Sequence, residues 1–142
     1  MECIYNDGDR SKYFKGSAGD CVTRALAIAT GKDYLEVYKR INELAKAEKT
    51  GKRKRGVSNA RKGVYTTTIN KYLAELGWTW YPCMNIGSGC TTHLNPQELP
   101  NGTIICKLSR HLTCVKDGII YDTYNCSRNE NRCVYGYWKK EK

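Results

Sequence analysis

Apolar positions recur with a helical period through the first half of the chain and with a strand-like texture through the second. Val22, Ala25, Leu26 and Ala29 form one apolar stripe, which predicts a buried helix over residues 21–30. Asp20 stands where an N-cap belongs and Gly31 where a helix stops. Tyr34, Val37, Tyr38, Ile41, Leu44 and Ala45 continue the period in a second helix, opened by Asp33 and Glu36 at capping-box spacing. Ile69, Tyr72, Leu73 and Leu76 share one face of a third helix near Thr67–Leu76, which ends at Gly77. Residues 1–20 read as irregular, with turn signals at Asn6-Asp7-Gly8 and at residues 16–19.

Beyond Gly77 the residues become β-branched and aromatic. The pattern predicts strands at Trp78–Met84, Thr103–Leu108, His111–Lys116, Ile119–Tyr124 and Arg132–Tyr137. Lys116-Asp117-Gly118 is a tight hairpin signal between two of them. Helices first and an antiparallel sheet second make an α+β arrangement. No internal repeat or domain boundary stands out, so residues 1–142 read as one domain. A chain of that length can bury roughly 70% of the surface it exposes when unfolded.

Charge adds a question. Twenty-four basic and 14 acidic residues leave a net charge of +10. Eight of the basic residues, against one acid, fall between Lys46 and Lys62. A solvated connection between helices accounts for such a run. The other reading is a nucleic-acid or acidic-partner surface, though no aromatic residue is interleaved to stack on bases. No apolar run reaches the ~18 residues of a membrane span. The first residues lack the apolar core of a secretory signal, so the expected location is the cytoplasm.

The expected compartment is reducing, and the eight cysteines are therefore expected as free thiols. Zinc is not expected. There is no C-x-x-C, and Cys83/Cys90 and Cys126/Cys133 are each separated by six residues. Cys106 and Cys114 fall in strand-like runs, where a thiol packs as a small hydrophobe.

Cys21 is different, because it is placed in the first turn of the central helix. The partial positive charge of a helix N-terminus stabilises a thiolate, and a nearby imidazole can take the proton. The chain has two histidines, His93 and His111. His111 opens one arm of the predicted hairpin. With the turn centred on Asp117-Gly118, residues whose numbers sum to about 235 face each other across it. His111 then opposes Tyr124, one or two residues from Asp122, whose carboxylate can orient the ring. Asn125 is the alternative orienting group. Cys90 and His93, three apart in a Gly-rich segment, form a rival pair on a poorly organised loop. Trp78, Trp80, Tyr81, Tyr135, Tyr137 and Trp138 read as sheet packing, with an aromatic substrate groove as the alternative.

Cysteine at the start of a central helix, histidine opening a strand, then Asp on the next strand resembles the papain-like cysteine peptidase superfamily. Within it, the segment HLTCVKDGIIYD is most similar to the compact peptidases of bacteriocin exporters. GDCVTRALAIATG, IGSGC, SRHLT and CVYGYW also resemble uncharacterised phage and bacterial proteins. The resemblance implies a papain-like fold and a thiol hydrolase. Catalysis would rest on Cys21, His111 and Asp122, acting on a protein or peptide substrate with no cofactor or metal. One departure matters: the family's oxyanion glutamine, six residues before the cysteine, is Lys15 here. Asn6, Ser17 and Tyr13 are the residues considered for the missing donor. The departure also leaves a second reading, a catalytically inactive, phage-encoded binding protein that modulates a host factor.

Overall fold

A computed structural model describes residues 1–16, 18–47, 58–85 and 87–140. Its elements run β1 (Cys3–Tyr5), α1 (Cys21–Thr30), α2 (Tyr34–Lys46), α3 (Thr66–Glu75), β2 (Trp78–Pro82), β3 (Thr103–Leu108), β4 (His111–Lys116), β5 (Ile119–Asp122) and β6 (Gly136–Lys140). The class is mixed α and β, as the sequence pattern implies. The sheet is not purely antiparallel, however. Its six strands lie in the order β1-β5-β4-β3-β6-β2, and β1 runs parallel to β5, pairing Cys3 with Ile120 and Tyr5 with Asp122. Three residues are too few to show a period, so this strand is invisible until its distant partner is known.

Strand alternation places two clusters on the two faces of the sheet. Ile105, Leu112, Trp78 and Trp138 pack under the apolar stripes of the three helices, with Leu26, Val37, Ile41, Ile69 and Leu73. On the other side Ile104, Cys106, Leu108, Val115 and Ile120 meet Leu94, Leu99, Cys126 and Val134 from two long loops. The last strand falls later than expected. Segment 132–134 instead lies against residues 92–94: Leu94 N–H donates to Arg132 O at 2.8 Å and Val134 N–H to Thr92 O at 2.8 Å. Cys90 and Cys133 join the same two loops through a disulfide. The expectation of eight free thiols is thereby corrected, because the pairing depends on loops that meet only in the folded chain. On a chain-entropy model, a cross-link over 43 residues contributes about 4 kcal/mol.

One helix signal and one hairpin signal hold, and two helix caps change. Gly31 ends α1 in the left-handed region (φ 73°), donating to Ala27 O. Asp117 and Gly118 both have positive φ, as a two-residue hairpin of the expected kind requires. Neither Asp20 nor Asp33 caps its helix with its side chain. Asp33 instead accepts from the Tyr13 hydroxyl at 2.5 Å, and Asp20 is drawn into an ion network described below. The aromatic residues of β2 and β6 serve sheet packing. Trp80 faces Trp138 with ring centroids 4.5 Å apart, Tyr81 stacks on Tyr137, and the buried Trp138 donates to Asn70 Oδ1 at 3.0 Å.

The Trp80 ring lies over Gly136, where a Cβ would sit 2.2 Å from the nearest indole carbon. A ring locked in a cross-strand pair cannot yield cheaply. Gly136→Ala should therefore lower stability by about 1–3 kcal/mol, the usual cost of overpacking. A urea midpoint equal to that of the unchanged protein would refute this reading of the contact.

Candidate catalytic site

The site begins with register. β4 and β5 pair Cys114 with Tyr121 and Val115 with Ile120, so paired numbers sum to 235. Thr113 thus stands opposite Asp122, and His111 is its diagonal neighbour on the same face. The side chains meet accordingly. His111 Nε2 lies 2.7 Å from Asp122 Oδ2, and Thr113 Oγ1 donates to the same oxygen at 2.7 Å. Thr123 N–H donates to Asp122 Oδ1 at 2.7 Å. The Tyr124 ring lies against the imidazole, tilted by 47° and 5.3 Å from it centroid to centroid. Asp122 and His111 are both buried, at 4% and 8% exposure.

Helix α1 packs against β4 and presents its first residue at the start of that strand. Cys21, His111 and Leu112 border one cleft, and the imidazole and the Leu112 N–H are near enough to act on the thiol. Asp122 engages Nε2, which leaves Nδ1 as the ring nitrogen open to a further partner. The three residues singled out from the sequence are therefore brought together, in the order Cys21, His111, Asp122. Thr113 and Leu112 N–H complete the arrangement. The register sum points to Thr113, whereas nothing in the sequence marks a backbone N–H as a thiol partner.

Electrostatics follow from these contacts. Burial pushes the Cys21 thiol upward, but the hydrogen bonds from His111 and Leu112 N–H, with the charges of His111 and Arg24, leave it below its ordinary 9.0. Burial would likewise lower His111. Hydrogen bonds to Asp122, Cys126 and Cys21 and the Asp122 charge outweigh it and raise the imidazole to about 11. Burial opposes ionisation of Asp122, yet hydrogen bonds from His111 and Thr113 hold its carboxyl below 3.8. Other thiols move the opposite way. Burial raises Cys3, Cys83 and Cys106, and takes Cys114 to about 12.

Asp20, beside Cys21, is neutralised. Its carboxylate meets Arg10 Nε at 2.9 Å, Arg24 Nε at 2.9 Å and the Tyr34 hydroxyl at 2.5 Å. Arg10 Nε is out of line for a hydrogen bond, so that contact is purely ionic. Arg24 continues toward β5, its Nη1 3.6 Å from Asp122 Oδ1 and 2.8 Å from Thr123 Oγ1.

A cleft of about 450 Å³ opens over Cys21 and His111, walled by Gly19, Lys62, Lys107, Arg110 and Tyr124. Lys15 lies instead on a neighbouring hollow with Asp7 and Arg10. Asn6 accepts from Gly8 N–H, Tyr13 is committed to Asp33, and neither is among the described residues of the cleft. Ser17 lies outside the described residues. Asn125 binds Met1 O and Ser127 rather than His111, so it does not orient the ring. The Cys90/His93 pair is also set aside, because Cys90 is in the disulfide and His93 Nδ1 lies 3.2 Å from Glu98. Most of the basic run, residues 48–57, lies outside the described residues.

His111, Asp122 and Cys126 bring three ligand-type atoms within 4.8 Å of one another. Those atoms are already engaged: Cys126 Sγ lies 3.8 Å from Asp122 Oδ2, and a cation would have to break the His111–Asp122 bond. Among the described residues no helix is long and apolar enough to cross a membrane. No family model, curated protein or solved structure matches the chain.

The coupled shifts define a stability window. Asp122, with its lowered pKa, contributes stability above pH 3.8 that is lost as pH falls through its folded value. His111, with its raised pKa, contributes stability that is complete below 6.5 and is lost as pH rises through about 11. The urea stability gap between the unchanged protein and Asp122→Asn should be widest between these limits and narrow at both ends. Imidazole NMR should show His111 still cationic at about pH 8; a neutral ring there contradicts the assigned geometry.

Proposed function

We propose that the protein is a papain-like thiol hydrolase that cleaves an amide, isopeptide or ester bond of a protein or peptide through an acyl-enzyme. The placement of Cys21 beside His111 on one cleft, with His111 hydrogen-bonded to Asp122, carries this reading. Its chain order, with a helix-borne cysteine, a strand-opening histidine and an acid on the next strand, supports the papain-like scaffold.

The chemistry follows from the geometry. The Cys21 thiolate adds to the substrate carbonyl carbon. The tetrahedral oxyanion takes the Cys21 backbone N–H, one of the free donors of the α1 first turn. As the C–N or C–O bond breaks, His111 gives its proton to the leaving group, and Cys21 is left acylated. His111, now neutral, takes a proton from water as the hydroxide adds to the thioester. Expulsion of the thiolate releases the acid, and His111, already carrying the proton it took from water, is left as the cation beside it. Asp122 holds the ring's orientation and stabilises its cation through both half-reactions. With one backbone donor in place of two, turnover should fall by about 10²–10³ relative to a complete oxyanion hole.

Lys15 in place of the oxyanion glutamine favours a second reading, a binding protein on the same scaffold. Under that reading Cys21→Ser leaves biological activity intact, and under the first it abolishes activity.

Iodoacetamide at neutral pH should modify Cys21 at least about tenfold faster than any other free cysteine, read by peptide mass spectrometry. His111→Ala should bring Cys21 down to the common rate. The Cys21 rate should rise with pH through a midpoint below 9.0, since its thiolate is stabilised. Equal modification of all six free thiols would overturn the hydrolase.

A further inference from the structure

The wall of the Cys21 cleft is cationic. Lys62, Lys107 and Arg110 border it, and among the described residues none of the three pairs with a carboxylate. Arg24, by contrast, is spent on Asp20 and Asp122. Lys107 is fixed at the cleft by donating to Thr66 Oγ1 at 2.9 Å. Three unneutralised cations around one hollow repel each other and raise the local concentration of anions.

Arg110 adds an independent sign. It occupies the two-residue turn between β3 and β4, directly before His111, with φ 55°. Glycine or asparagine takes that left-handed conformation more easily than arginine. Backbone strain of this kind persists beside working sites where the side chain is needed. Here the side chain borders the cleft.

We propose that the substrate is an acidic peptide, with a carboxylate next to the bond that Cys21 attacks, held by Arg110, Lys62 and Lys107. The proposal rests on the hydrolase reading, which supplies the nucleophile. A peptide is favoured over a nucleic acid because a thiolate with an adjacent imidazolium transfers acyl groups. Described wall residues include only one phenol or indole ring, Tyr124, and it already packs at a tilt against His111.

Two alkylating agents of nearly equal size test it on the full chain. Iodoacetate and iodoacetamide react alike: the Cys21 sulfur bonds to the CH₂ carbon, the C–I bond breaks, and iodide leaves. At low salt and neutral pH, the iodoacetate-to-iodoacetamide rate ratio at Cys21 should exceed that of glutathione by about tenfold, and should fall toward it near ~1 M salt. The His111 cation also attracts an anion, so the decisive readout is the change on substitution. Arg110→Asn, which suits the turn, and Lys62→Gln should each lower the ratio by about threefold. A ratio unmoved by both overturns the proposal while selective iodoacetamide labelling leaves the hydrolase standing. Loss of that selectivity overturns both. As protectants of Cys21, a Glu-containing peptide should outdo its Gln counterpart. Equal protection by the two, or protection by an oligonucleotide alone, overturns the acidic-peptide assignment.

Discussion

Two buried carboxylates, Asp20 and Asp122, have to be satisfied before anything else in this fold can hold. A buried carboxylate without partners costs several kcal/mol even after the protein relaxes. Asp20 has two guanidinium groups and a tyrosine hydroxyl, while Asp122 has an imidazole, a threonine hydroxyl and a backbone N–H. Arg24 spans both acids, tying the mouth of α1 to the end of β5. The same guanidinium therefore cancels the anion beside Cys21 and anchors the acid that orients His111. Structural demand and chemical demand coincide at one side chain.

The sheet divides the labour of support. Its helical face is an apolar cluster whose members carry no chemistry, and α1 docks there against β4. The other face is roofed by loops, which contribute Leu94, Leu99, Cys126 and Val134 and are stitched by Cys90–Cys133. Loops have little apolar stripe of their own, so a covalent link between them replaces the packing that a helix would provide. His111, Thr113 and Asp122 sit at the end of the sheet where these two coverings meet.

Local pattern made much of this legible. Helical periodicity found α1 to α3 within a residue or so at most ends, and Asp117-Gly118 fixed the hairpin register from which the His111–Asp122 encounter follows. What stayed hidden was long-range. β1 pairs with residues more than a hundred positions later. The segment expected as the last strand alternates suitably, yet it pairs with residues 92–94 and leaves the strand role to Gly136–Lys140. Asp20 and Asp33 look like caps by position, but Arg10, Arg24 and Tyr34 claim the first carboxylate and Tyr13 the second. The Cys90–Cys133 partnership has no local signal at all.

The parallel pairing of β1 with β5 also has a temporal side. The partner strand of β1 and the imidazole beside the thiol are translated long after them: Ile120 follows Cys3 by 117 residues (120 minus 3) and His111 follows Cys21 by 90 (111 minus 21). At about 5–20 residues per second, ribosomal synthesis leaves roughly 5–18 s during which Cys21 is an ordinary sulfhydryl on a nascent helix. The surroundings that lower the Cys21 pKa form only when the β4–β5 hairpin closes, so the thiol stays unperturbed on the growing polypeptide until then.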